Sequence, residues 1–426
     1  MKSAVLENKT EHGVNLPERL TLLAMLLCTA LTGFITQEFL TYGVIAGMVV
    51  LLLRDKIYLG FPFVIFYNSF YGLPLGFSVL RIYSILLLLS LVLRIAGRAK
   101  FKVITLVPLT IYMLFIVLVL MQNGVVEGFM AIIEVICVII ISNELSNRDG
   151  GMVEFFKVYA LLSVLSFFSG IVLGNTIGDE YNYVRFMGTF EDPNYMGFFF
   201  TVGIFATITL KLFNSSILRY GIVAVLYVGI AMTLSITAIL INVMLWIVYL
   251  IFINKRKMSG VVVALVVVLL VGMVLSYVTS SGDSPTFIGD LMTRINEKIA
   301  EFSKGDISSA TTGRTNFAKN NLGFFFSLPV FNILFGGTSI NTKHIVSEIK
   351  GVSHNEYIDL MINVGIVGAI IMFAFFISTF VSYVKEYKKT EDRKYLTLIV
   401  GKLVWLFYGI ALTMFLDYRF MLWFFV

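Results

Sequence analysis

His354 is one of only three histidines in this chain, and it stands directly after the longest polar stretch and just before an apolar run. Ser353, followed three positions later by Glu356, has the pattern of a capping box, which predicts a helix with Ser353 at its N-cap. The positive end of that helix dipole disfavours an imidazolium, so we expect a neutral ring that can act as a general base. The same helix end, with Asn355 beside it, is suited to an anionic substrate group such as a diphosphate.

A second set of residues that could take part in chemistry surrounds an Asp-Pro pair. Asp192 before Pro193 predicts an N-cap followed by a first-turn proline, so another helix presents its positive end there. Arg185 precedes this start in an otherwise acidic stretch, and Asn194 follows it in the first turn. We therefore expect Arg185 to act on a substrate anion, with Asp192 and Asn194 binding substrate. The alternative is that Arg185 only pairs with a neighbouring carboxylate and that Asn194 has no function.

Two further arginines are candidates for phosphate oxygens, because the planar guanidinium can bind them with two parallel hydrogen bonds. Arg314 stands at the predicted start of a helix within the longest polar stretch; its alternative is a solvated loop arginine. Arg81 begins another predicted helix, either as a third cation or as a snorkelling anchor, which we favour. The alternative for His354 is a solvated side chain at a helix start, with Gly365 and Gly368 serving only close helix packing.

The elements that must position these residues are membrane helices. Hydrophobic residues make up 58% of the 426 residues and charged residues only 14%, which is far less charge than a soluble surface needs. Apolar runs recur along the whole length, each of roughly 20 residues, the length that crosses a bilayer as a helix. We predict an all-α polytopic membrane protein, a single integral membrane domain over residues 1–426 with about 12–14 transmembrane helices.

The predicted helices follow the apolar runs. They span residues 20–36, 39–53, 57–78, 81–97, 102–121, 127–142, 153–173, 193–212, 217–233, 236–253, 259–278, 355–384, 395–412 and 413–426. The glycines and prolines of 57–78, among them Gly60 and Pro62, favour a kinked or re-entrant segment there, and 413–426 is short for a membrane helix. With the N-terminus inside, five clusters of basic residues between helices, among them Lys255-Arg256-Lys257, fall on the cytoplasmic side, as the positive-inside rule requires. Two polar loops then lie on the outer face, at 174–191 and at 279–353. The longer loop carries predicted amphipathic helices at Leu291–Phe302 and Thr312–Ser327.

Several function classes have no support in the sequence. There is no phosphate-binding GxxxxGK[ST], no HExxH and no CxxC, and the outer loops have no aspartate-rich metal motif. We therefore expect no metal site and no cofactor. The net charge of +6 reflects the positive-inside bias and does not indicate nucleic-acid binding.

His354-Asn355, nine further residues and then Gly365 and Gly368 resemble a motif of the O-antigen ligase/polymerase family of bacterial membrane glycosyltransferases. In that family the motif follows the large outer loop. The stretch from Gly188 to Asn194 resembles a second signature of the family, and Gly313-Arg314 resembles the arginine near the start of the helical part of the large loop. The resemblance covers about residues 150–412.

Two positions depart from the family's pattern. Many members carry a Ser-Arg pair in the helix pair after the second signature, where this chain has Ser235-Ile236, so no arginine is available there. The ligase branch favours a leucine four residues after the loop arginine, whereas Arg314 is followed by Phe317-Ala318. The second departure argues mildly against a ligase.

The resemblance implies a polyprenyl-diphosphate-linked oligosaccharide as the donor and a bacterial plasma membrane enzyme whose active site faces outward. An acceptor hydroxyl attacks the anomeric carbon with inversion, and the lipid diphosphate leaves. Arg185 and Arg314 serve the leaving group and His354 the hydroxyl, without a metal. The expected reaction is transfer of a growing glycan to the next lipid-linked repeat unit. Besides the lipid bilayer, a chain-length regulator protein is the partner that this reaction allows.

Two alternatives stay open. A ligase would use the same donor and transfer the finished glycan to a final acceptor. A transporter or flippase of lipid-linked sugars would show inverted repeats and functional charges near the middle of the bilayer. No internal repeat is evident, and the candidate residues cluster at the outer face, which favours an enzyme.

Overall fold

The chain is almost entirely helical in the residues that the structure, a computed structural model, describes. These are residues 15–32, 38–67, 79–96, 133, 136–145, 148, 150–178, 184–253, 287–305, 314–336, 355–412, 420 and 422. The helices are α1 Leu16–Thr32, α2 Glu38–Leu53, α3 Phe61–Tyr67, α4 Val79–Ala96, α5 Ile136–Leu145, α6 Gly151–Val172, α7 Pro193–Thr209, α8 Ser216–Met232, α9 Ile236–Ile253, α10 Phe287–Ser303, α11 Arg314–Ser327, α12 Val330–Phe335, α13 Glu356–Thr390 and α14 Arg393–Tyr408. Strands β1 Thr176–Gly178 and β2 Val184–Phe186 form an antiparallel hairpin.

Two of the described helices, α6 and α13, are long and apolar enough to cross a membrane. Shorter apolar helices accompany them, among them α5 and α8. The predicted helical architecture is confirmed, whereas the number of membrane crossings stays a prediction. The predicted helices at 102–121 and 259–278 lie outside the described residues, as do half of 127–142 and most of 413–426.

The predicted segment at 57–78 is helical in its described part and is irregular near Gly60, as its glycines and prolines indicate. A 3₁₀ turn, Ile57–Gly60, comes first and α3 follows it; residues 68–78 lie outside the described chain. Glu154 at the start of α6 holds this turn, since its carboxylate accepts a 3.1 Å bond from Lys56 Nζ and a 2.6 Å bond from the Tyr58 hydroxyl. The turn is thus fixed by a residue almost a hundred positions away in the sequence. A pattern of apolar residues does not predict such a contact.

Helix α7 is the centre of the described helices, buried on nearly all sides and in contact with α6, α8, α9 and α14. Its Phe199 ring stacks on Phe190, with 4.8 Å between the ring centroids. The Tyr159 hydroxyl of α6 donates a 3.0 Å hydrogen bond to the Phe199 carbonyl oxygen. Asn242 of α9 donates a 2.7 Å bond to the Thr201 hydroxyl. Buried polar side chains therefore link α7 to its neighbours within an apolar core, where an unmade hydrogen bond would be expensive.

The long polar loop predicted at 279–353 contributes three helices. The predicted Leu291–Phe302 becomes α10, and the predicted Thr312–Ser327 becomes α11. The third helix, α12, is not among the predicted ones. Helices α11 and α12 pack on the N-terminal part of α13 through a small apolar cluster around Phe325, Ile358 and Ile362.

Helix α13 is broken at Gly365, whose backbone has φ 71° and ψ 175°. A Cβ atom built at Gly365 would collide with the backbone of Leu334 and Gly336 at the end of α12. Gly336 has φ 74°, and a Cβ atom there would collide with the backbone of Asn363 and Val364. The two backbones cross in direct contact, and only glycine suits both positions. Close packing is therefore confirmed for Gly365, with α12 as the partner.

Candidate functional site

The predicted helix start at Asp192 is confirmed. Asp192 is the N-cap of α7, with an extended backbone, and its Oδ1 accepts a 2.6 Å hydrogen bond from the Asn194 amide. Pro193 occupies the first helical position, where a missing N–H leaves nothing unsatisfied. The remaining first-turn N–H groups give this end its partial positive charge.

The residues before Asp192 hold the helix start in place. Gly188 has φ 61° and lies so close to α6 that a Cβ atom on Gly170 would collide with its backbone. Thr189 and Ser166 share a 2.6 Å hydrogen bond between their hydroxyls. The glycine and threonine of this stretch therefore anchor the loop to α6, and the site residues follow them.

Asn194 and Arg185 meet the turn between α8 and α9. Asn194 is buried, and its side-chain oxygen accepts a 2.7 Å hydrogen bond from the Ser235 hydroxyl. Ser235 in turn accepts from the Ala238 amide at 3.2 Å, which caps α9. Arg185, half-buried on β2, donates from Nε to the Thr233 carbonyl oxygen at 3.0 Å. The guanidinium that contacts this turn thus belongs to Arg185, which precedes α7 in sequence. It does not come from the residue after Ser235.

Arg314 begins α11 and lies within electrostatic reach of Asp192 and of Arg294 on α10. Burial lowers the pKa of the Arg314 guanidinium below its ordinary value. The Asp192 carboxylate opposes this shift in pKa, and the positive charge of Arg294 adds to it. Arginine nevertheless stays charged in proteins. Arg294 itself is only 7% exposed, so Arg314 interacts electrostatically with a buried guanidinium as well as with the Asp192 carboxylate.

This arrangement suits an anion. Two like charges in a poorly solvated place repel each other more strongly than they would in water. An anion with several oxygens would relieve that repulsion and accept hydrogen bonds from both planar groups. Asp192, which interacts electrostatically with Arg314, caps the start of α7, and the positive end of that helix also suits an anion. The residues thus favour a ligand that carries more than one negative charge.

The start of α13 differs from its prediction by two residues. Asn355 is the N-cap, because its side-chain oxygen accepts from the amides of Tyr357 at 3.1 Å and Ile358 at 3.3 Å. The predicted N-cap, Ser353, lies outside the described residues. The Glu356 amide donates a 2.7 Å bond to the Gly409 carbonyl oxygen, which fastens this helix start to the end of α14. The capping oxygen of Asn355 is therefore committed to the helix.

The described residues do not place the two other predicted site residues, His354 and Arg81, near Arg314. His354 lies outside the described residues, and by sequence it directly precedes the N-cap Asn355. Arg81 is exposed in the first turn of α4, a helix that packs against α2 and α3. Arg81 as a substrate-binding residue therefore stays a prediction.

Two residues of the site, Arg294 and Ser235, are not predicted as site residues from the sequence. Arg294 lies on an amphipathic helix, where an arginine is ordinarily solvated, and only the packing of the outer loop reveals its burial. Ser235 has a readable signal: it follows Thr233-Leu234 at the break of a long apolar stretch, where an N-cap is expected. Comparison with family models, with curated proteins and with solved structures gives no match to this chain.

Proposed function

We propose that this chain is a multi-pass membrane glycosyltransferase that takes its glycan from a polyprenyl diphosphate at the outer face of a bacterial plasma membrane. The observation that carries the proposal is that Arg314, at the start of α11, interacts electrostatically with the buried Arg294 and with Asp192, the N-cap of α7. A diphosphate has the charge and the oxygen geometry for which such a pair is suited. The family resemblance of the motifs around Arg314 and Asp192 points to the same donor.

The reaction forms one bond and breaks one bond at the anomeric carbon. An acceptor hydroxyl oxygen bonds to this carbon from the face opposite the leaving group, and the bond to the diphosphate oxygen breaks. The lipid diphosphate departs with the electron pair, and Arg314 and Arg294 stabilise the charge that develops on it. The hydroxyl proton passes to a base, for which His354 is our candidate because it precedes a helix start in sequence.

Among the enzymes that use this donor, we propose a polymerase that transfers the growing glycan to the next lipid-linked repeat unit. Phe317-Ala318 after Arg314, where the ligase branch favours leucine, supports this choice. A ligase remains the nearest alternative because both enzymes need the same leaving-group site. The two differ in the acceptor alone.

The test compares surface polysaccharide in a host whose long chains depend on this protein. Arg314→Ala and Arg294→Ala are each expected to lower transfer by on the order of 10²- to 10³-fold, the usual effect of removing one charge-stabilising group. Lys319→Ala is the matched control, because Lys319 is exposed on the same helix as Arg314. His354→Ala tests the base. Gel electrophoresis reports chain length, and an immunoblot reports the amount of protein.

The outcomes separate the candidate functions. Loss of long chains with single-repeat material retained supports a polymerase, because export of the unit is then intact. Loss of both would indicate a transporter or flippase. Normal chains in a strain that makes stable Arg314→Ala protein would exclude the proposed leaving-group site.

A further inference from the structure

An exposed apolar face lies on the outer loop, at the corner between α11 and α12. Residues 324–336 contain no charged side chain. Phe326 is 67% exposed, Val330 72% and Phe331 62%. None of the residues of α12 is buried. Monomeric soluble proteins rarely expose a contiguous apolar patch of this kind, and such patches mark interaction surfaces.

The opposite side of the same segment is packed. Phe325 is fully buried against Ile358 and Ile362 of α13, and Ile333 of α12 joins that cluster. The crossing of Gly336 with Gly365 fixes the end of α12 to the break in α13. Residues 324–336 are therefore fixed at one position along α13, and the side of this segment that does not pack on α13 is exposed.

The position of α12 along α13 indicates what covers the exposed side of α12. The first basic residue towards the inner end of α13 is Lys385, 20 positions after Gly365. At 1.5 Å per residue that separation is about 30 Å, the thickness of the hydrocarbon core of a bilayer. With Lys385 at the inner boundary, as the positive-inside rule requires, Gly365 and α12 lie at the outer boundary.

We propose that α12, together with Phe326, is a membrane-surface anchor of the outer loop whose exposed face is covered by the lipid chains of the outer leaflet. Short apolar segments at this depth bury their apolar face a few ångströms into the boundary between headgroups and acyl chains. Ile370, five residues beyond Gly365 on α13, is apolar and 63% exposed as well. The anchor would hold α11, and so Arg314 at its start, at a fixed height above the membrane.

The inference rests on α13 spanning the membrane, as proposed above, so the experiment tests the two separately. Cys28 and Cys137 are replaced by alanine, and a nitroxide label is attached to a single cysteine at position 331, 335, 370 or 320 in proteoliposomes. Collisions with oxygen, which concentrates in lipid, are compared with those of a water-soluble nickel chelate. Position 370 reports the membrane span. Asn320, exposed on α11, is the aqueous control.

The expected result is an oxygen-to-nickel collision ratio several-fold higher at 331 and at 370 than at 320. The label at 335 repeats the test if the variant at 331 does not fold. A lipid-like ratio at 370 with a ratio at 331 and 335 equal to that at 320 would overturn the anchor and leave the span intact. An aqueous ratio at 370 would overturn both. Labels at 331 and 335 that neither reagent reaches would show a protein covering this face, and would also overturn the anchor.

Discussion

Ser235 donates a 2.7 Å hydrogen bond to the side-chain oxygen of Asn194, and this bond joins the starts of two helices, α7 and α9. Each helix presents unsatisfied N–H groups at its start, so two partially positive ends lie together. Arg185 reaches the same turn from β2 through its hydrogen bond to the Thr233 carbonyl oxygen. The electrostatics of this corner therefore come as much from backbone geometry as from charged side chains.

Ser235→Ala removes both the bond to Asn194 and the cap of α9. We expect a loss of about 1–2 kcal/mol in the free energy of unfolding, because a helix cap is lost and a buried amide oxygen loses its donor. The thermal midpoint in detergent measures the loss. Ser327→Ala is the control, since Ser327 is exposed and bonds only within its own turn. Equal midpoints for the two variants would contradict the role given to Ser235.

Gly365→Ala tests the crossing of α12 and α13. The left-handed backbone alone costs an alanine about 1–3 kcal/mol, and the collision with the backbone of Leu334 and Gly336 adds to this. A lower thermal midpoint and a more protease-sensitive outer loop are expected. Gly323→Ala, on α11 with open space around it, should be neutral or slightly stabilising. An unchanged Gly365→Ala protein would show that the backbones do not touch.

Arg185→Lys and Arg185→Ala test whether the guanidinium acts on substrate. Lysine keeps the charge but cannot both bond to the Thr233 carbonyl and present a planar fork. We expect transfer to fall by about 10-fold with lysine and by about 10²-fold with alanine. Transfer is measured with purified protein and a lipid-linked repeat unit. If both variants lose stability equally and keep their specific activity, Arg185 only fastens β2 to the turn.

Lys402→Met addresses the transporter alternative. Lys402 is 1% exposed within α14, and its Nζ lies 4.7 Å from the centroid of the Phe376 ring. A functional charge inside a membrane helix would mark a transport pathway. We expect Lys402→Met to retain polymer synthesis, because methionine fills the volume without a buried charge. Loss of polymer with normal protein levels would favour transport. Lys402→Glu should fail to accumulate.

Transfer is also expected to continue in the presence of EDTA. The charge on the leaving diphosphate is met by Arg314, Arg294 and the start of α7, so the reaction as proposed needs no divalent cation. The measurement uses purified protein with and without the chelator. Activity that EDTA abolishes and magnesium restores would contradict the proposed chemistry.

Local signals explain which parts of the site could be predicted from the sequence. The prediction of Asp192 and Pro193 is confirmed, because an N-cap and a first-turn proline act on their own turn. The prediction of Ser353 as the cap is wrong, because Asn355, two residues later, is an equally good capping residue. Arg294 was overlooked because its burial depends on how α10 packs, which a helical pattern does not specify.

The same contrast holds for the fold. The long apolar helices α6 and α13 follow from composition. The break at Gly365 and the helix α12 do not, because each is fixed by the other across a loop. A six-residue helix after a proline is also too short for a periodic pattern to show.

The break at Gly365 also lets the two parts of α13 take different orientations. The apolar part from Gly365 to Lys385 is about 30 Å long and already matches the hydrocarbon core, so in the proposed membrane position the turns before Gly365 extend beyond it. In an unbroken rod of 35 residues, any tilt of the span would swing those turns sideways. Because Gly365 interrupts the rod, the span can tilt to suit membranes of different thickness while the turns before Gly365 stay fastened to α14 through Gly409.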